Sequence, residues 1–366
     1  MKYINEYRKK SLINQVARGI RDIMPSQEVR LMEVCGTHTQ NFLRFGLNRL
    51  IPQQLKLISG PGCPVCVSTQ EYIDRAITYA QLKDVIIATY GDMLKVPGSK
   101  SSLEKERAKG AQLKVLYSAW DSLQLAQENP SKKVIFLAVG FETTAPTVAL
   151  TILAAKEKNL KNLFFFSALK LIPPAMAYLV LDKRLALQGF LCPGHVSTII
   201  GTRPYEFIPK RFKIGCCVTG FEPLDILQGL YFLLKQIKEK NPAVDNQYLR
   251  AVKPEGNPKA KRIIDQVFRI EDVSWRGLGI ISKSGLKMRK EFSRFDIEKF
   301  LPLKRKSETA RQRPGQCKCA EVLKGLILPQ DCPLFSKSCR PDNPYGPCMV
   351  SGEGACNAYY RYQILK

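Results

Sequence analysis

The sequence predicts an α/β protein with two parallel-sheet units around a cleft and a smaller cysteine-rich region at its C-terminal end. Two observations lead to this fold class. Short β-rich runs alternate with amphipathic helical runs over roughly the first 240 residues, an order that is typical of parallel sheets covered by helices. Six of the twelve cysteines then lie beyond residue 316, where the alternation has ended.

The predicted strands are short apolar runs separated by turn signals. They span Leu55–Ser59, Asp84–Tyr90, Leu113–Ser118, Lys133–Val139, Asn162–Ala168, Gln188–Cys192 and Phe212–Thr219. Helical patterns, in which apolar residues recur every three or four positions, lie between most of them. They span Glu71–Gln81, Leu103–Gln112, Thr147–Lys158 and Leu224–Lys240. Ligands bind at the carboxyl ends of parallel strands, so the turns after these strands are expected to line the cleft.

Two breaks divide the chain into predicted domains. The polar segment Asp121–Lys133 is interpreted as a linker, and Asn241-Pro242 stops a long helical pattern. The predicted units are an N-terminal segment at 1–50, which packs partly on the C-terminal domain, and a first α/β domain at 51–130. A second α/β domain at 131–240 and a basic, cysteine-rich domain at 241–366 follow.

The composition predicts a cytoplasmic protein. The start of the chain, Met1–Lys10, is polar and charged, which is wrong for a secretory signal. The longest apolar stretch, Leu163–Leu181, is interrupted by Lys170 and by Pro173-Pro174, so it is interpreted as a buried strand followed by a helix, not a membrane span. In a reducing compartment, cysteines are expected to be metal ligands or redox thiols and not structural disulfides.

The net charge of +25 indicates a basic surface. Such a surface suits nucleic acid, an acidic protein or an anionic substrate, and it also arises from lysines scattered for solubility. The basic runs Lys259–Arg262 and Lys304–Arg313 contain none of the interleaved aromatic residues that single-strand binders use. Nucleic-acid binding is therefore not favoured.

The first cysteine motif is Cys63-Pro64-Val65-Cys66, directly after the first predicted strand. Ser68 and Glu71 form a capping-box pattern, which places the motif at the N-terminus of a helix, where the helix dipole stabilises a thiolate. The pair is interpreted as a redox-active dithiol. Half of a zinc site and an inert pair are the alternatives.

A second motif, Cys35-Gly36-Thr37-His38, follows an apolar run. The glycine allows the backbone to approach a ligand closely, and His38 is near enough in sequence to lower the pKa of the thiol or to join it on a metal. A buried structural cysteine is the alternative. The other histidine, His195, could act as an acid, a base or a metal ligand, and a structural role is the alternative.

The six C-terminal cysteines have the spacing C-x-C-x12-C-x6-C-x8-C-x7-C, with no histidine among them. Zinc sites usually show two compact C-x-x-C pairs, whereas here the spacings are wider. Four ligands and two further thiols fit a [4Fe–4S] cluster beside a dithiol, and zinc is the alternative.

Seven stretches of the chain form a distinctive set of motifs: Met32–Thr39, Gly60–Cys66, Gly140–Thr147, Pro193–Val196, Gly220–Asp225, Trp275–Gly279 and Met349–Cys356. Together they resemble the HypD family of hydrogenase maturation proteins, and the likeness covers nearly the full length of the chain.

The resemblance implies a function in building the iron centre of [NiFe]-hydrogenases, whose iron carries two cyanides and one carbonyl, Fe(CN)2CO. It implies two related α/β domains and a third domain with a [4Fe–4S] cluster. The partners it implies are the small chaperone HypC, the protein HypE, which donates cyanide from a C-terminal thiocyanate, and, indirectly, the hydrogenase large subunit. The protein would be a redox-active scaffold for assembly of the metal centre.

The resemblance also assigns site residues. Cys35 would anchor the iron together with a cysteine of HypC, and Cys63 and Cys66 would be the redox dithiol. Gln40 stands where many members have a second histidine, so a histidine ligand of the iron would be His38. The predicted cluster ligands are Cys319, Cys332, Cys339 and Cys356, and the predicted second dithiol is Cys317 and Cys348.

Two other functions are compatible with the residues alone. The cysteine-rich region could make the protein a zinc-stabilised interaction module with no redox chemistry. The basic surface together with the thiols could belong to a thiol-dependent enzyme that modifies nucleic acid.

Overall fold

The computed structural model describes residues 2, 4–303 and 317–364, and it is an α/β structure with two parallel sheets and a cysteine-rich C-terminal region. The fold class predicted from the sequence is confirmed. The basic run at 304–313 lies outside the described residues.

The strands form two parallel sheets and one antiparallel ribbon. They are β1 Val29–Glu33, β2 Leu55–Ser59, β3 Val85–Thr89, β4 Gln112–Val115, β5 Lys133–Gly140, β6 Leu163–Leu169, β7 Gly189–Pro193, β8 Gly215–Thr219, β9 Val244–Asn246, β10 Phe268–Trp275 and β11 Gly279–Met288. Sheet A has the order β2-β1-β7-β8-β9, and sheet B has the order β4-β3-β5-β6. The strands β10 and β11 pair with each other in the ribbon.

Helices cover both sheets and also build the C-terminal region. They are α1 Lys10–Ile23, α2 Gly36–Arg44, α3 Pro64–Val67, α4 Gln70–Ala80, α5 Leu103–Ala108, α6 Asp121–Glu128, α7 Ala145–Glu157, α8 Ile172–Leu179, α9 Gly194–Ile200, α10 Phe207–Phe212, α11 Pro223–Glu239, α12 Pro258–Val267, α13 Ile297–Phe300, α14 Cys319–Lys324, α15 Pro347–Val350 and α16 Ala355–Tyr359. Within the described ranges, no helix is both long and apolar enough to cross a membrane.

Each of the seven predicted strands corresponds to a strand of the structure, with ends shifted by a few residues at most positions. The largest shifts are three residues, at the end of β4, which was predicted at Ser118 but is Val115, and at the start of β8, which was predicted at Phe212 but is Gly215. Phe212 instead ends α10, and Lys213 turns the chain with a left-handed φ of 59°. The apolar stretch Leu163–Leu181 forms β6 and α8, as predicted.

The linker prediction for Asp121–Lys133 is wrong, because its first part forms α6. Leu123 and Ala126 of this helix are buried in the core on one face of sheet B. The polar composition of the segment comes from the exposed face of an amphipathic helix.

The sheets also divide the chain differently from the predicted boundaries. β2 belongs to sheet A, while β3 and β4 belong to sheet B, so the unit predicted at 51–130 contributes to both sheets. Sheet A is built from two separate stretches, 29–59 and 189–246, and the strands of sheet B lie between them in the sequence. This arrangement brings the end of β1 next to the end of β7, where β1 and β7 pair in register.

Candidate functional site

Cys35 lies at the carboxyl end of β1 and caps the N-terminus of α2. Its backbone N–H donates to Oε2 of Glu33 over 2.9 Å. The next N–H, that of Gly36, donates over 3.0 Å to the carbonyl of Gly62, in the loop that leads to Cys63. A side chain at Gly62 would collide with the Cys35 backbone, so only glycine allows the two loops to lie this close. The structure therefore brings together the two cysteine motifs that the sequence keeps apart.

His195 also lies beside Cys35, with 3.7 Å between its Nδ1 and the Cys35 sulfur. His195 is the second residue of α9, which directly follows β7. The pairing of β7 with β1 brings His195 to Cys35. The sequence left the role of His195 open. Its position makes it a member of the site that the predicted set of residues did not include.

The Cys35 thiol is buried, and its protonation differs from the sequence-based expectation. Burial, reinforced by the negative charge of Glu353, raises the pKa of Cys35 well above its usual value. The backbone N–H of His38 does lower this pKa, but burial outweighs its effect, so the pKa of Cys35 is raised overall. A metal ion that binds here would have to displace the thiol proton, as thiolate ligation generally requires.

His38 is fully buried, and its two ring nitrogens have different surroundings. Nε2 donates to the carbonyl of Gly220 over 3.0 Å and lies 3.0 Å from the hydroxyl of Thr219. Burial lowers the pKa of His38 to about 3, so the ring is neutral and its proton is on Nε2. Nδ1 is shielded from solvent and has no hydrogen-bond partner, so its lone pair is free to accept a proton or a metal.

Cys63 and Cys66 are joined by a disulfide and are buried. Cys63 caps the single turn of α3, and its sulfur accepts the N–H of Cys66 over 3.2 Å. The predicted capping box is wrong, since α4 begins with Thr69 as its cap and the Ser68 hydroxyl instead donates to Pro64 over 3.0 Å. The pair does stand at a helix N-terminus, but the helix is only four residues long.

The Cys63–Cys66 disulfide borders the C-terminal region. The Cys66 sulfur lies 3.8 Å from the carbonyl oxygen of Pro347, the residue before Cys348. On the other side of Cys35, the hydroxyl of Thr37 donates to Glu353 over 2.7 Å. The C-terminal region therefore contacts both motifs at once.

The six C-terminal cysteines line one pocket, which we call the cysteine pocket. They are Cys317, Cys319, Cys332, Cys339, Cys348 and Cys356. The space between its lining atoms, including the part open to solvent, is about 300 Å³. The sulfurs of Cys319 and Cys348 lie 3.0 Å apart. Hydrogen bonds from Cys317 and Cys348 hold the pKa of Cys319 well below its usual value.

The donor set of the cysteine pocket consists of thiols, which are ligands of iron–sulfur clusters and of zinc. Among the described residues, no three His, Cys, Asp or Glu side chains converge as ligands of a single metal ion. A [4Fe–4S] cluster takes one cysteine on each of its irons, so four of the six cysteines could hold it. Cys317 and Cys348 both contact Cys319, and their role as a second dithiol stays a prediction.

Known proteins identify the family. The sequence profile for HypD, described as "Hydrogenase formation hypA family", matches residues 11–363. The chain belongs to the HypD family. It is 44% identical over 370 residues to the hydrogenase expression/formation protein HupD of Azotobacter chroococcum, an alignment that covers 99% of this chain and 97% of that protein.

Other HypD proteins are similar over almost their whole length. The hydrogenase maturation factor HypD of Escherichia coli is 41% identical over 376 residues, covering 99% of this chain and 98% of its own. The corresponding factor of Cupriavidus necator is 40% identical over 379 residues, covering 100% of this chain and 98% of its own. The resemblance drawn from the sequence motifs is confirmed.

Glu33, His195 and Glu353 of this HypD chain also belong to the site; the sequence left the role of His195 open, and motif reasoning did not select Glu33 or Glu353. Glu33 and His195 come from the ends of neighbouring strands, and Glu353 comes from the far end of the chain. The signal that could have found them is their position in stretches that match the family, where Glu33 stands two residues before Cys35 and the other two stand next to a glycine. Which of them meet in space depends on strand order, which the sequence does not encode locally.

Proposed function

We propose that this protein is a hydrogenase maturation factor that acts as a redox-active scaffold for assembly of the Fe(CN)2CO centre of [NiFe]-hydrogenase. One observation carries the proposal. Cys35, the Cys63–Cys66 pair and the cysteine pocket lie in succession, connected by the Gly36–Gly62 hydrogen bond and the Cys66–Pro347 contact. Neighbouring sulfur sites of this kind can combine metal binding with electron supply.

Iron, as the cargo, would bind to Cys35 with a cysteine of the small chaperone HypC. A thiolate is a good ligand for iron that carries cyanide, and the lone pair on Nδ1 of His38 makes this side chain a further candidate ligand. The surroundings of Cys35 are buried, which keeps water from competing for the metal. The raised pKa of Cys35 means that binding of iron would release one proton.

Cyanide would come from the C-terminal thiocyanate of HypE. Releasing it needs two electrons, and the two thiols of Cys63 and Cys66 supply them as they form their disulfide. The sulfur–cyanide bond breaks and a sulfur–sulfur bond forms, and the products are a thiol on the donor and cyanide, with the two thiol protons balancing the charge. The disulfide form seen in the structure corresponds to the oxidised product of this step.

The cysteine pocket would hold a [4Fe–4S] cluster through Cys319, Cys332, Cys339 and Cys356. Such a cluster supplies electrons one at a time from an external reductant. The protein would contribute by holding the disulfide close to this cluster, because Cys66 contacts Pro347 at the wall of the cysteine pocket. This placement would give electrons from the cluster a short path to the disulfide, which they would reduce back to the dithiol.

The charge of the protein suits acidic partners. With a net charge of +25, the surface would attract a negatively charged chaperone or cyanide donor in the cytoplasm. Added salt should weaken that attraction, because exposed charges are screened over about 8 Å at physiological ionic strength.

The experiment is anaerobic co-purification with HypC and HypE, followed by infrared spectroscopy for iron-bound cyanide and carbonyl. The bands should be present in the wild type and absent in Cys35→Ala. The control is Cys217→Ala, which removes an equally buried thiol from β8 of the same sheet and should retain the bands. Normal bands in Cys35→Ala would refute the anchoring role. Tightly held zinc without sulfide would instead support the interaction module.

A further inference from the structure

The tip of the β10–β11 ribbon carries the sequence Trp275-Arg276-Gly277, which the proposed function does not use. The tip sits between two cysteine-bearing segments. The backbone N–H of Arg276 donates over 2.9 Å to the carbonyl of Val67, the residue after Cys66. On the opposite side Gly277, with a left-handed φ of 79°, packs against Ala320, which follows Cys319.

Two of the three guanidinium nitrogens of Arg276 donate hydrogen bonds to the segment that follows Cys66. Nε donates to the carbonyl of Ser68 over 2.6 Å, and Nη1 donates to Oε1 of Gln70 over 3.1 Å. Nη2 is shielded from solvent and has no hydrogen-bond partner in the structure. A buried donor without a partner is unfavourable, so a hydrogen-bond acceptor at this position would be strongly favoured.

Thiols of the cysteine pocket lie near this side chain. Burial lowers the pKa of Arg276, and the nearby groups that oppose this effect are Cys319, Cys348, Asp74 and Cys317. Asp74 is already occupied, since it accepts the N–H and the hydroxyl of Ser99 over 2.6 Å each. The remaining three are thiols of the cysteine pocket.

The ribbon holds Arg276 firmly in this position. The indole N–H of Trp275 donates to the hydroxyl of Ser284 over 2.8 Å, and its ring stacks on Phe141 with 5.9 Å between centroids. The Lys170 ammonium donates to the carbonyl of Ser274 over 2.7 Å. The guanidinium is therefore preorganised and does not need to be ordered when the pocket is filled.

We propose that Arg276 is a positioning residue that holds the Cys66 segment and donates its free Nη2 hydrogens to the sulfurs of the cysteine pocket, so that the pocket accepts an electron more easily. The proposal rests on the proposed iron–sulfur group. Reduction adds negative charge to a sulfur-ligated site, and hydrogen bonds to the sulfurs together with net charge set its potential. A fixed cation at this point stabilises the reduced state.

The test is a redox titration of the purified protein with dithionite under anaerobic conditions, monitored by electron paramagnetic resonance. In Arg276→Gln the equilibrium constant for one-electron reduction should fall about tenfold, which corresponds to about 59 mV. Arg276→Lys keeps the positive charge and should recover part of this loss. The control is Lys287→Gln, which removes an exposed charge from the same ribbon and should match the wild type.

An Arg276→Gln protein with the wild-type iron content and an equilibrium constant within about twofold of the wild type would overturn the proposal. Iron and sulfide are measured first, which separates the two claims. If the wild type holds zinc and no sulfide, the proposed iron–sulfur cluster is refuted. The rate at which zinc is released to a chelator then tests the hydrogen bonds from Arg276 to the sulfurs. Faster release from Arg276→Gln than from Lys287→Gln would support the Nη2–sulfur contacts. Equal rates, or a wild type with neither metal, would overturn them.

Discussion

Cys35 and the cysteine pocket are held by different kinds of structure. Cys35 follows β1, which is paired on both sides within the five-stranded sheet A, and it begins a nine-residue helix. The pocket is built from α14, α15 and α16, which span six, four and five residues, and from the loops that carry Cys332 and Cys339.

This difference indicates which of the two sites has its shape without a bound metal. Helices as short as α14–α16 have little stability of their own, so bonds from the cysteines to the proposed cluster would contribute to the shape of the pocket. The position of Cys35 instead comes from sheet pairing and from the Gly36–Gly62 hydrogen bond, which need no metal. The Cys35 site is therefore preformed, whereas we expect the shape of the pocket to depend on the proposed cofactor.

The largest effect is expected for Cys319→Ala, which removes a predicted ligand at the start of α14. The iron content should fall from about four atoms per chain to less than about one, and the C-terminal region should become sensitive to protease. Cys35→Ala should keep both properties, because sheet A holds that site. Equal iron content in the two variants would break the distinction between the sites.

Gly62→Ala tests whether close backbone contact fixes the Cys35 site. The new methyl group would meet the Cys35 backbone, so the free energy of unfolding in urea should fall by about 3 kcal/mol. Gly352→Ala is the control, since no neighbouring atom lies within 4 Å of a side chain there. Equal unfolding midpoints for the two variants would mean that the loops around Cys35 adapt freely.

Glu33 should give the Cys35 site a measurable pH dependence. Burial raises the pKa of Glu33 to about 8 from an ordinary 4.5, so between these values the folded protein keeps a proton that the unfolded chain releases. The protein should therefore lose stability, by roughly 5 kcal/mol over the whole range, as the pH rises from about 4.5 to about 8. Glu33→Gln should remove this part of the pH dependence of the free energy of unfolding, measured in urea. An unchanged pH dependence would contradict the assignment.

The smallest effect is expected for Cys317→Ser. Cys317 is the exposed member of the cysteine pocket, and it is not among the predicted ligands. The iron content should stay within about a tenth of the wild-type value if four other cysteines hold the cluster. A loss of iron comparable to that of Cys319→Ala would place Cys317 in the ligand set and change the comparison.

The fold class and most strands were predictable, because buried parallel strands are continuous apolar runs. The assignment of strands to sheets was not, since β2 and β3 look alike in sequence and yet lie in different sheets. The helix α6 was missed because its exposed face is polar enough to resemble a linker.

The cysteines of the site could be found from their spacing and from the family motifs. Their protonation could not, because the pKa of Cys35 depends on burial and on Glu353, a residue more than 300 positions away. The contact of Cys66 with the pocket depends likewise on Pro347. Distances across the chain appear only once the sheets are assembled.

The most direct test of the proposed redox role of Cys63 and Cys66 measures how many thiols are lost for each cyanide released. The protein, with Cys63 and Cys66 reduced, is mixed anaerobically with HypE carrying its thiocyanate, and the free thiols are identified by alkylation and mass spectrometry. The account predicts two thiols lost for each cyanide released, both at Cys63 and Cys66, and little release from Cys66→Ala. Cyanide release at the wild-type rate with both thiols still free would contradict it.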